Sequence, residues 1–158
     1  MLFMSVISGR NSHYLIGEQV IAAPVVKDLG IETIATGYIL LDGGACTTVE
    51  FMSGTRPIPT NKIDIIIAHA LAGQYLGMEA IYLESGSGAQ SPVTIDVVTA
   101  VKEVINIPII IGGGIKSPET ASELVKAGGS IIVTGTITEK DSSLMSEIAD
   151  AVHWKKND

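Results

Sequence analysis

Ile111-Gly112-Gly113-Gly114-Ile115 and, one unit later, Val133-Thr134-Gly135-Thr136 are the stretches that decide the fold. Each follows a short β-branched run, residues 108–111 and 130–133, that reads as a strand buried on both faces. Three glycines at a strand's C-terminal end allow positive φ and let a ligand approach the main chain. Amide N–H groups there, followed by a helix N-terminus, make an anion site. A tight turn without a ligand needs only one glycine. Gly135 again exposes main-chain amides, and the Thr136 hydroxyl adds a donor. Glycine-rich ends on the last two strands are the phosphate site of (β/α)₈ barrels, at strands seven and eight. An open doubly wound nucleotide binder places its glycine fingerprint after its first strand instead. The first strand here ends in Ser8-Gly9-Arg10-Asn11, which is no such fingerprint.

Working outward, strands and helices alternate in five units, which predicts a parallel α/β sheet. Residues 1–7 form the first strand. Residues 14–29 have helical spacing and stop at Gly30, with Pro24 expected to kink or shorten the helix. Residues 31–41 hold the second strand. A long loop, 42–60, follows; its Gly43-Gly44 and Gly54 are expected to shape a small hairpin, and loops of this length are usually lids or binding loops. The next helix covers 62–76, the third strand 80–83 and its helix 94–104. The fourth helix covers 118–127, opened by Ser117 as N-cap and Pro118. The last helix covers 143–152, packed by Trp154, with 155–158 a solvated tail. No linker divides the chain, so residues 1–158 are expected to be one domain. A whole barrel takes ~250 residues. Length alone favours an open sheet, whereas the glycine motifs favour the C-terminal five units of a (β/α)₈ TIM barrel.

The chain has 158 residues, 46% of them hydrophobic, and a net charge of −7. That charge argues against nucleic acid and against docking on anionic membranes. No apolar run reaches the roughly 18 residues of a transmembrane segment. A lone Cys46 rules out an internal disulfide and predicts a reducing, cytoplasmic setting. His13, His69 and His153 are scattered, without metal-ligand spacing.

The chemistry concentrates in Tyr82-Leu83-Glu84-Ser85-Gly86-Ser87-Gly88-Ala89, at the end of the third strand. Alternation puts Tyr82 and Glu84 on one face and Leu83 on the other. A carboxylate at the inward C-terminal end of a barrel strand is costly to bury without a partner. Glu84 is therefore expected to meet substrate hydroxyls, water or a cation, or else to cap local amides in the Ser-Gly loop. Ser85 and Ser87 add hydroxyls suited to a polyol or phosphate. Other phosphate-binding barrels fit less well. An aldolase wants a lysine at a strand end, and an isomerase wants a second carboxylate or a cysteine. A non-catalytic phosphate-binding module remains an alternative.

YLESGSGA, IIIGGGI and VTGT, in this order, resemble the geranylgeranylglyceryl phosphate synthase family and its bacterial heptaprenylglyceryl relatives. Ser8-Gly9-Arg10-Asn11, Thr36-Gly37-Tyr38-Ile39-Leu40, Pro57-Ile58-Pro59 and Tyr75-Leu76-Gly77 extend the resemblance along the whole chain. It implies a modified (β/α)₈ barrel and a prenyltransferase. Such an enzyme moves a polyprenyl group from its diphosphate to the 3-hydroxyl of sn-glycerol 1-phosphate, giving the first ether lipid of archaeal membranes. On that reading Tyr82, Leu83, Ser85, Gly86, Ser87 and Gly88 hold the glycerol part, and Glu84 orients or deprotonates the attacking hydroxyl. Gly113, Gly114, Gly135 and Thr136 hold its phosphate, while Tyr38 and the 42–60 loop gate the prenyl groove. The family's barrel starts with three further βα units, and its Mg²⁺ ligand lies on the first of those strands. No metal ligand is assigned in this chain. The expectation is a homo-oligomer with two open sheet edges and weak or absent activity of the 158 residues alone.

Overall fold

A computed structural model of the chain describes residues 1–135, 137, 139 and 143–153. Thr136, Trp154 and the 155–158 tail lie outside the described residues. Five strands, β1 (Leu2–Val6), β2 (Ile34–Leu40), β3 (Ala80–Glu84), β4 (Ile109–Gly112) and β5 (Ile131–Val133), pair side by side in chain order. All four pairings are parallel. Each crossover carries helix: α1 (Glu18–Asp28), α2 (Thr48–Ser53), α3 (Ile63–Tyr75), α4 (Ile95–Val104) and α5 (Pro118–Lys126), with α6 (Ser143–Val152) after β5. The α/β reading therefore stands.

The helix ends follow from local chemistry. Thr94 and Ser117 accept the Val97 and Thr120 amides at 3.4 and 3.3 Å, capping α4 and α5. At the other end of α1, Gly30 turns with φ 62° and Ile31 N–H returns to Val26 O at 3.2 Å. A single π-helical turn, His13–Gly17, leads into α1. α1 continues through Pro24, which stands inside the helix and does not end it. Proline removes one N–H from the ladder, but α1 buries none of its residues, so the freed carbonyl meets water.

The hairpin expected in the 42–60 loop is absent. The segment instead forms the short helix α2, because the Thr47 hydroxyl accepts the Glu50 amide at 3.2 Å and Gly54 closes the end at φ 63°. Ile58 then bonds back to the end of β2, its N–H reaching Leu40 O at 2.9 Å.

Strand alternation splits the core in two. Ile39, Leu41, Ile81, Leu83, Ile109 and Ile111 pack under the helices, against Ile66, Val97, Val101 and Leu124. Tyr38, Leu40, Ala80, Tyr82 and Ile110 form a second cluster with Val49 of α2. Register explains it: Tyr38 pairs with Tyr82 and Tyr82 with Ile110, so one layer crosses three strands. One layer nearer the C-terminal ends, Leu40 pairs with Glu84 and Glu84 with Gly112. That layer is where the sheet meets its loops.

Candidate functional site

Glu84 closes β3 and is buried, with 8% of its surface exposed. Its Oε1 accepts the Gly86 amide at 2.7 Å, and the Tyr82 hydroxyl is also bonded to the carboxylate. Burial pushes the Glu84 carboxyl above its ordinary pKa, and the two hydrogen bonds only partly oppose that rise. The Tyr82 and Tyr38 hydroxyls are also held above their usual range, first by burial and then by the Glu84 charge. The carboxylate thus does both things open to it in the sequence: it caps a local amide and it faces a cavity.

That cavity measures about 490 Å³ and is lined by Tyr82, Glu84, Ser87, Gly88 and the glycines of two further strand ends, Gly113, Gly114 and Gly135. The loops after β3, β4 and β5 therefore converge as the spacing of the glycine motifs predicted. The triple glycine has a second cause beyond ligand access. A Cβ on Gly112 would stand 2.6 Å from Glu84 Oε2. One on Gly113 would stand 2.5 Å from Glu84 Oε1 and 2.6 Å from Gly86 N, at a φ of 81°. The carboxylate and its supporting loop lie directly on this main chain, and any side chain would displace them.

Several expected contacts fall elsewhere. Leu83 points under the helices and is fully buried there, so its side chain is not part of the site. Ser85 is likewise buried outside the cavity; its hydroxyl has no partner, and its Cβ would stand 3.2 Å from a Cβ on Gly43. Gly86 serves Glu84 rather than a ligand: its amide is occupied, and Thr47 packs on it. Tyr38 does not line the cavity either. Its ring lies 5.3 Å from that of Tyr82 and props it from the next strand. Thr136 lies outside the described residues.

The sequence reading missed Lys116, which lines the same cavity and donates to Gln90 O at 2.9 Å. A cation two residues past a glycine anion site was the available signal. Two of the three histidines are locally engaged: His13 pairs with Glu18, and His69 Nδ1 lies 2.8 Å from Ile65 O. Among the described residues no three His, Cys, Asp or Glu side chains converge on a metal position. No described helix is long and apolar enough to cross a membrane.

Parallel βα units with a buried carboxylate and glycine turns at the same rim define a segment of the (β/α)₈-barrel type. The chain belongs to the PcrB family, whose model matches residues 1–152. It is 50% identical over 153 residues to the geranylgeranylglyceryl phosphate synthase of Chitinophaga pinensis, covering 97% of this chain and 61% of that protein. It is 49% identical over 152 residues to the synthase of Methanopyrus kandleri, covering 96% of this chain and 63% of that protein. Among solved structures it is similar to the (S)-3-O-geranylgeranylglyceryl phosphate synthase of Thermoplasma acidophilum in complex with sn-glycerol-1-phosphate. That match has a TM-score of 0.90 at 36% identity, over 96% of this chain and 62% of the other. The wild-type synthase of Thermoplasma volcanium matches with a TM-score of 0.88 at 38% identity, over 96% of this chain and 61% of the other. The chain thus spans a little over three-fifths of the length of these relatives.

Proposed function

We propose that these five units are one domain forming the acceptor-binding part of a prenyltransferase. The enzyme joins a geranylgeranyl or related polyprenyl group to the 3-hydroxyl of sn-glycerol 1-phosphate. The observation that carries this reading is a single cavity shared by the Glu84 carboxylate and the glycine strand ends. The family membership and the acceptor named for the Thermoplasma acidophilum structure support it.

In this mechanism the acceptor phosphate sits on the main chain at Gly113, Gly114 and Gly135. The Ser87 hydroxyl and the Tyr82–Glu84 pair meet the glycerol hydroxyls. Glu84 takes the proton as the hydroxyl oxygen bonds to the prenyl carbon, and the carbon–oxygen bond to the diphosphate breaks. Desolvation raises the basicity of Glu84 towards neutral pH, where a general base is most effective. The apolar layer of Tyr38, Leu40 and Ile110 is itself buried and backs the wall against which Tyr82 and Glu84 stand. The Mg²⁺ implied by the resemblance finds no ligand cluster among the described residues.

The setting that fits is the cytoplasm, with the protein as a homo-oligomer. Exposed Val20, Ile21 and Val25 on α1, with Leu29 just past its end, support association.

Calorimetric titration tests the assignment. sn-Glycerol 1-phosphate is expected to bind the chain at least tenfold more tightly than its 3-phosphate enantiomer. Equal affinity, or no binding of either, would remove the acceptor assignment.

A further inference from the structure

We infer that Lys116 supplies the positive charge that holds the acceptor's phosphate, and that it ties the Ser87-Gly88 loop to the glycine seat while doing so. The inference rests on the acceptor-site reading above. Lys116 is the only cation among the described residues that line the cavity. Its ammonium reaches across from the loop after β4 to Gln90 O, in the loop after β3, at 2.9 Å. Gln90 N–H in turn donates to Gly43 O at 3.0 Å, so the strap continues into the 42–60 segment.

Charge makes the lysine necessary. The cavity already holds the buried Glu84 carboxylate, and the whole chain carries a net −7. A phosphate entering this space is repelled by Glu84, and amide dipoles offer it only partial charges. An ammonium has three donors, so Lys116 can keep the Gln90 carbonyl and still reach a phosphate oxygen. Loading the seat then also holds Ser87 and Gly88 over the glycerol part. Arg10, another cation at a strand end, donates to its own neighbours Ser8 O and Gly9 O and does not line the cavity.

The test is calorimetry on the full chain, with inorganic phosphate and sn-glycerol 1-phosphate as probes, at two salt concentrations. Lys116→Gln is expected to weaken both probes tenfold to a hundredfold and to flatten the salt dependence. Lys116→Arg, which keeps the charge, is expected to recover most of the affinity. If Lys116→Gln binds as the parent does, the role of Lys116 is overturned while the acceptor reading stands. If Gln and Arg variants are equally weak and both keep the parent's salt dependence, Lys116 is only a loop strap, and its role in charge is overturned. If the parent binds neither probe, the acceptor reading fails and takes this inference with it.

Discussion

Alanine at Gly113 is expected to abolish binding of sn-glycerol 1-phosphate and to lower the stability of the fold by about 2–4 kcal/mol. Two costs add. The residue turns with φ 81°, a left-handed conformation that costs a side chain about 1–2 kcal/mol. The new methyl also falls 2.5 Å from Glu84 Oε1 and from Gly86 O, and 2.6 Å from Gly86 N. Two of those atoms are main chain of the neighbouring loop, so relief requires the loop to shift, and Glu84 loses its amide partner as it does. Gly30→Ala is the control. Gly30 shares the left-handed φ, at 62°, but has nothing within 4 Å of its added Cβ. It should pay only the conformational part, about 1–2 kcal/mol, and retain binding. Urea unfolding and calorimetry of both variants separate the two costs. Equal behaviour of Gly113→Ala and Gly30→Ala would show that the crowding at the seat has no consequence.

Glu84→Gln is expected to slow prenyl transfer by about 10²–10⁴-fold, the usual contribution of a positioned general base. Phosphate binding should change far less. Glutamine keeps the shape and can still accept the Gly86 amide, so the fold survives. Stability carries an independent signature. The folded state raises the Glu84 pKa, chiefly by burial, so folding favours the protonated form. The parent is therefore penalised as pH rises through that raised pKa, whereas the glutamine variant is not. The variant should be the more stable of the two at neutral pH, and the gap should close as the pH is lowered to where Glu84 is protonated. Urea unfolding across a pH series reads this directly. A gap independent of pH would contradict the buried, perturbed carboxylate, and undiminished transfer would remove its role as base.

The fold was largely legible because parallel strands covered on both faces are nearly continuous Ile/Val runs with glycine at their ends. Residues 109–112 and 131–133 carry that signal unmistakably, and the last helix has the bounds its periodicity gives, Ser143–Val152. In the 42–60 segment two local signals compete. Its three glycines suit hairpin turns, but Thr47 and Glu50, spaced as a capping box, are the local signal for the helix that forms. Pro24 lies within α1 without ending it, and the carbonyl it frees is on an exposed helix where water can satisfy it.

At the site, alternation sorted Tyr82 and Glu84 from Leu83 correctly, yet the resemblance still placed Leu83 among the contacts. Side-chain direction stops being legible once the strand ends. Ser85 turns away from the cavity, packed near Gly43 of a distant loop, and Gly86 gives its amide to Glu84. The first depends on a contact between segments far apart in sequence, whereas the second is the local amide cap that the Ser-Gly loop already offered Glu84. Lys116 was visible, but only the Gln90 contact and the shared cavity give it meaning.

In the proposed site the glycine ends of β4 and β5 seat a phosphate beside Glu84. Amide chemical-shift mapping during titration with sn-glycerol 1-phosphate tests it most directly. The largest shifts are expected on Gly113, Gly114 and Gly135, with smaller ones at Ser87 and Gly88. Largest shifts at the separate cavity bordered by Asp42, Glu50 and Arg56, with the glycine ends unmoved, would contradict it.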